Sequence, residues 1–447
     1  MHRIAQRLLA LLVLCLLLVA CNAQSAKISS SQSKPMNVTL TAPSLHTTET
    51  NNTTDKGLCP VELKDRPTCL TPRTLRMAYG VQQLIDRGFT GKGQTVVDIV
   101  SFGSPTLKQD MEKFDQQFGL PPVDLQIISP LNIPEYDPRN DKRGWAAETT
   151  LDVQIIHAIA PDAKIVVLTS PVAEIQGTTG LPEFRQLNQY VIDHRLGSIV
   201  SQSWGASELT LQDEKGQQEL QAWNTMLQQG TTQYGITYFS SSGDDGATDK
   251  ANLLGTQLAH VPTTSFAADS PWVTSVGGTS VRHVGNTFTE QAWNGSGGGF
   301  SRFYKTPSYQ QDLPAEVQKQ LKNRRGVPDV SGDADPYTGL AFYENGMWSM
   351  AGGTSASVPL WAGIIAIANQ MADHPLGFIN PALYKLGADH KSYSQDFHDI
   401  TVGNNTNVAA GVQGYPAVPG WDPVTGLGAP NAEKLIPDLI HAMIHTP

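Results

Sequence analysis

Basic residues are in deficit in this chain, 31 against 41 acidic for a formal charge of −10, and that balance argues against a nucleic-acid partner. No internal repeat and no block of like charge is present, so neither a solenoid nor a charged interaction tail is indicated. The strongest apolar run lies within residues 1–21, MHRIAQRLLALLVLCLLLVAC, and is too short to span a bilayer comfortably. Cysteine is scarce, at four of 447 residues. What remains is 40% hydrophobic, with 40 Gly and 29 Pro, enough to bury one large core or two medium ones.

Arg3 and Arg7 ahead of the short apolar run give residues 1–20 the layout of a secretory leader. Its end, Leu18-Val19-Ala20-Cys21, resembles the bacterial lipoprotein signal, which implies lipidation of Cys21 and a chain held at the outer cell surface, the alternative being plain secretion. Without the leader, 29 basic residues face 41 acidic, a net −12. Cys59 and Cys69 then remain in an oxidising compartment and are expected to pair. Residues 21–57 are rich in Ser, Thr and Asn and read as a flexible tether. Residues 58–447 read as the folded body.

Within that body, apolar and amphipathic stretches alternate. TLRMAYGVQQLIDRG reads as a helix, QTVVDIVSFG as a strand and TLKQDMEKFDQQFG as a helix. AAETTLDVQIIHAIA is a helix stopped by Pro161, and AKIVVLTS a strand. EFRQLNQYVIDHR, GSIVSQSWG, LQAWNTMLQQGTTQ and ITYFSSSGD continue the alternation. The pattern predicts an α/β fold with a mostly parallel central sheet and helices on both faces. Chemistry then belongs at the carboxyl ends of strands, in the loops after Phe102, Ser203, Ser241 and Met350.

Ser355 lies in GGTSAS, between a glycine turn and an apolar helix that carries Pro359 in about its first turn. Alone the motif is more often a helix cap than a nucleophile. A nucleophile needs a base, and none of the 11 histidines stands in the HGT motif used by subtilisins. Glu148 and Asp152 offer another base, because a spacing of four puts both carboxyls on one helix face, beside Ile155, Ile156, Ile159 and His157. A third element, SSSGDDG, carries Asp244 at the end of a strand, where it is either a turn former or an acid kept protonated to donate to an oxyanion.

ExxLD, SSGD and GGTSAS in that order resemble the sedolisins, the serine-carboxyl peptidases of subtilisin-like fold. The likeness extends from about residue 71 to the C-terminus through TPRTLRMAYG, IVSQSWG, AWNGSGGGFS, GVPDVSGDADPYTG, FHDIT and GWDPVTGLG. It implies Ser355 as nucleophile, Glu148 as general base, Asp152 as the group orienting Glu148, and Asp244 with the Ser355 amide as oxyanion hole. It further implies one structural calcium ion, bound by the carboxylates of Asp399 and Asp422 and the carbonyls of Ile400, Val418 and Gly420. Trp204 and Gly297, Gly298 and Gly299 are expected along the substrate cleft, with ordinary packing as the competing account.

The expected function is therefore an acid-acting endopeptidase, monomeric, with polypeptide substrates. The alternatives are a tripeptidyl-peptidase of the same family or a catalytically silent peptide-binding lipoprotein. Two departures stand out. The family's long propeptide domain has no counterpart in the roughly fifty residues between Cys21 and TPRTLRMAYG, and Ser101 occupies the place where some members carry an outer acid. Asp98 in the same strand lacks a partner histidine motif and is given no role.

Overall fold

The computed structural model describes residues 40–41, 59–63, 68–132, 141–284, 287–350 and 352–444. The leader, Cys21 and nearly all of the stretch read as a tether lie outside them.

The nine strands of the central sheet are β1 (Leu40–Thr41), β2 (Thr95–Ser101), β3 (Asp124–Ile128), β4 (Lys164–Ser170), β5 (Ile199–Ser201), β6 (Thr237–Ser241), β7 (Thr274–Val284), β8 (Thr287–Ala292) and β9 (Val330–Asp333). Their order is β1-β8-β7-β6-β5-β2-β4-β3, with β9 also on β7. Every pairing from β3 across to β7, and that of β9, is parallel; β8 and β1 add an antiparallel edge.

Parallel strands must be covered on both faces, and β2 shows how the sequence arranges it. Val96 and Val100 enter one apolar core and Val97 and Ile99 the other. The eleven described helices are α1 (Pro72–Ala78), α2 (Gln82–Asp86), α3 (Leu107–Phe118), α4 (Lys142–Ile159), α5 (Leu181–His194), α6 (Glu214–Tyr234), α7 (Ala315–Leu321), α8 (Thr354–Ala372), α9 (Asn380–Ala388), α10 (His390–Asp396) and α11 (Ala432–Ile444). Helices α3, α4, α8 and α11 pack on the first face, α5 and α6 on the second. The predicted α/β architecture is the one observed.

Two helices hold the parts that matter. Helix α4 starts on Asp141, whose Oδ1 accepts from the Gly144 amide at 2.9 Å, and is buried continuously from Thr149 to Ile159. Helix α8 is apolar all round and runs through the core. They cross where a Cβ on Gly363 would stand 2.8 Å from the Ile159 side chain, so the glycine sets the closeness of the crossing.

Local readings needed three amendments. TLRMAYGVQQLIDRG is two short helices rather than one: Gly80 turns at φ +68, and a Cβ there would stand 2.6 Å from Asn431 Oδ1. Pro359 is the sixth residue of α8, deeper than the first turn. The strand ending at Met350 belongs to a separate hairpin with Ala341–Glu344, while α8 is tied to the sheet by the Gly353 amide on the Ala334 carbonyl, 2.7 Å, just beyond β9. The Cys59–Cys69 disulfide is formed.

Candidate active site

Residues from α4, the end of β5, the turn after β6 and the start of α8 meet at the carboxyl side of the sheet. Glu148, near the middle of α4, has its carboxyl partly open to a cleft, and the Ser355 hydroxyl, second residue of α8, stands beside it, close enough to lower its pKa, while Glu148 Oε1 is enclosed without a partner. Asp152, one turn along α4, is fully buried, and its Oδ1 accepts from Ser203 Oγ at 2.8 Å. The same hydroxyl lies 3.3 Å from the Ser355 carbonyl. That carbonyl is free because Pro359, four residues on, has no N–H to bond it. A proline inside the helix thus gives Ser203 a position from which to tie the second carboxyl to the nucleophile's backbone.

Asp98 is the group that sequence reasoning set aside. It shares a strand face with Val96 and Val100, pointing at α4, is fully buried, and stands within hydrogen-bonding reach of Asp152. Two carboxyls can share a hydrogen bond only if one holds a proton. Burial, then repulsion from Glu148, pushes Asp98 well above the ordinary carboxylate range; burial followed by repulsion from Asp98 and Glu148 does the same to Asp152. Burial pushes Glu148 up to about 7, with the Ser355 hydrogen bond lowering it and the Asp244 charge raising it.

Asp244 sits in the turn after β6. Its Oδ1 accepts from the Thr354 amide at 2.7 Å and from Thr354 Oγ1 at 2.8 Å, so it caps α8 from another element. Its Oδ2 lies 2.6 Å from where a Gly353 Cβ would be, and Gly353 adopts φ +89, a position that only glycine fills without strain. Asp244 keeps solvent access, yet the protein packed about its carboxyl raises its pKa, against the lowering effect of the two Thr354 bonds. With Oδ1 accepting twice, a proton on Oδ2 would leave that oxygen free to donate.

The four motif residues, Ser355, Glu148, Asp152 and Asp244, are therefore brought together. Trp204 is 95% buried, packed on Phe184 and Trp223 with ring centroids 4.8 and 5.6 Å away, and one edge lines the cleft. Protein backbone accounts for two of the three glycines: a Cβ on Gly297 would strike the Ser242 carbonyl and one on Gly298 the Pro423 carbonyl, whereas Gly299 has room. His157 is buried on α4, Nε2 at 2.9 Å from the Pro121 carbonyl and 3.1 Å from Asp115 Oδ1, away from the chemistry.

A profile of the subtilase family matches residues 143–383, more than half of the chain. Kumamolisin from Bacillus sp. (strain MN-32) is 34% identical over 387 residues, which is 84% of this chain. The chain belongs to the sedolisin family. The solved structure of a Pseudomonas sedolisin, a serine-carboxyl proteinase, superposes with a TM-score of 0.67 at 26% identity, covering 82% of this chain and 96% of that one. Tripeptidyl-peptidase 1 of Homo sapiens is 28% identical over 396 residues, 83% of this chain. The aligned stretch spans 64% of the length of both kumamolisin and the human relative.

The donor set anticipated for calcium is held together at the C-terminal end. Tyr393 and the Gly420 amide donate to Asp399 Oδ1 at 2.9 and 3.1 Å, and the Val418 amide donates to Asp422 Oδ2 at 3.1 Å. The same short loop, through its Val418 and Gly420 amides, thus bonds both carboxylates. The carbonyls of Ile400, Val418 and Gly420 receive no hydrogen bond among the described residues. Those residues include no cluster of three or more His, Cys, Asp or Glu able to hold a metal. The chemistry of the set, two carboxylates and free carbonyls, fits a hard cation.

Proposed function

We propose that this sedolisin is a serine-carboxyl endopeptidase working in acid. One observation carries the reading: the hydroxyl at the start of α8 faces a glutamate, and no histidine stands in the base's place. Glu148 takes the Ser355 proton as Oγ attacks the scissile carbonyl, and returns it to the leaving amine. Asp152, held by Ser203 and Asp98, keeps Glu148 in place. The Ser355 amide and a protonated Asp244 bind the oxyanion.

The productive form needs Glu148 ionised and Asp244 neutral. A proton on Asp244 removes the charge that raises Glu148, so the base titrates lower in that form, which moves the working range toward acid. Cleavage of internally quenched peptides by residues 21–447, followed from pH 2 to 8, is expected to peak in acid and to vanish in Ser355→Ala. A flat or alkaline profile, or turnover surviving in that variant, would refute the assignment.

The tripeptidyl-peptidase relatives favour a second reading, removal of tripeptides from a free amino end. Cleavage of amino-blocked peptides separates the two.

Calcium, bound by Asp399, Asp422 and the carbonyls of Ile400, Val418 and Gly420, would pin these loops and take no part in a chemical step. Chelation at neutral pH is expected to lower Tm, and calcium to restore it more fully than magnesium. An unchanged Tm on exhaustive chelation counts against the site. Lipid attachment at Cys21 and display on the outer surface complete the proposal.

A further inference from the structure

Glu174 follows β4 and has no part in the chemistry described above. It is 91% buried, its carboxyl makes no hydrogen bond among the described residues, and Oε1 is enclosed without a partner. An unpartnered buried carboxyl is costly. Its position suggests what would relieve it. Glu174 lines two adjoining cavities, of about 330 and 410 Å3, that share Asp141, Trp145 and Glu174. The first also touches Glu148, Ser203 and Trp204, so it opens directly beside the reacting groups.

The lining is acidic and apolar. Asp141, Glu148 and Glu174 are its ionisable groups, and no Lys, Arg or His lines either cavity among the described residues. Asp249, pushed up to about 6 by burial, stands behind Glu174 and adds negative charge as pH rises through that value, with Lys250 near it and paired to Asp245 at 2.6 Å. Trp145 forms a wall, and Leu253 and Leu254, 62% and 64% exposed, form an apolar rim. A negative floor under an aromatic and aliphatic wall suits a cation on a methylene or peptide stem.

We propose that Glu174 is the floor of a substrate subsite for a positively charged group, the ammonium or guanidinium of a Lys or Arg side chain or the α-ammonium of a free amino end. The proposal rests on the peptidase reading for its substrate, and it would set which peptides are taken and in which register.

Proton linkage gives it a signature. Burial, followed by the Asp249 charge, raises the Glu174 pKa well above the ordinary value, so in acid the free protein holds a proton there. A bound cation favours the carboxylate and expels that proton. Affinity for the cation therefore grows as pH rises.

The test uses Ser355→Ala protein, which binds without turning over, and calorimetry at pH 4 and 6 in buffers of different ionisation heat. One arm compares amino-blocked peptides carrying Lys or norleucine at each position in turn. The other compares neutral peptides with free and blocked amino ends. The expected result is a preference for the cation in one arm, on the order of tenfold to a hundredfold, larger at pH 6, with proton release. The preference disappears when Glu174→Gln is added, and again with Glu174→Met, which serves if the first variant is unstable. The arm that responds identifies the source of the charge. Binding without preference in either arm, or a preference that survives both substitutions, overturns the subsite and leaves the peptidase reading standing. Failure of every peptide to bind removes both, and turnover of neutral peptides by the unsubstituted enzyme checks the peptidase reading alone.

Discussion

Glu148→Gln is expected to lower kcat by a factor on the order of 10⁴ or more while leaving the fold intact. The carboxamide keeps the shape of the glutamate and can still accept from Ser355, but it cannot take up a proton, so the hydroxyl attacks unassisted. Losses of that order follow removal of the base in other serine peptidases, where the oxyanion site and substrate binding supply what remains. If activity persists within about tenfold, another group takes the proton and the base assignment is wrong.

A thermal readout separates this from simple damage. Burial, the main cause, raises the folded-state pKa of Glu148 from its ordinary 4.5 to about 7. A carboxyl raised in the folded state favours folding most below its unfolded pKa, and that contribution is lost as pH climbs through about 7. Glutamine does not titrate. The Tm of the variant relative to the parent should therefore rise between about pH 4.5 and 7, with little change below that window. A catalytic loss accompanied by a lower Tm throughout would instead indicate disrupted packing of α4.

The parts of this site legible in the sequence are those whose partners are near in the chain. Glu148 and Asp152 share a helix face by spacing alone, and Ser355 follows its glycines directly. The alternation of strands and helices likewise rests on local pattern. Asp98 escaped because its significance depends on β2 packing against α4, which brings it to Asp152. Within its own strand it is one polar residue in an apolar run. Ser203 escaped for a similar reason: its role needs the end of β5, Asp152 on α4 and a carbonyl that Pro359 leaves free on α8. Read locally, that proline is only an early helix residue. Gly80 broke a helix that periodicity predicted as continuous, since Asn431, far along the chain, fills the space a side chain would need.

Asp244 provides the second large effect, and two substitutions divide its roles. Asp244→Ala removes the oxyanion donor and also uncaps the Thr354 amide, now bonded at 2.7 Å. The expected cost is about 2.7 to 4 kcal/mol of transition-state stabilisation, roughly 10²- to 10³-fold in kcat. Asp244→Asn can keep its oxygen on Thr354 and turn its amide N–H groups toward the cleft. It should retain more activity than the alanine variant. It should also change the pH profile in a definite direction. Asp244 must be protonated to donate, so its ionisation closes the working range from above, while ionisation of Glu148 opens it from below. Asparagine donates at every pH, so its profile should lose the descending limb and extend toward neutrality. The ascending limb, which belongs to Glu148, should stay. An asparagine variant with the parent's descending limb would assign that limb to another acid, and one as inactive as alanine would mean that the proton on Asp244 does more than donate a hydrogen bond.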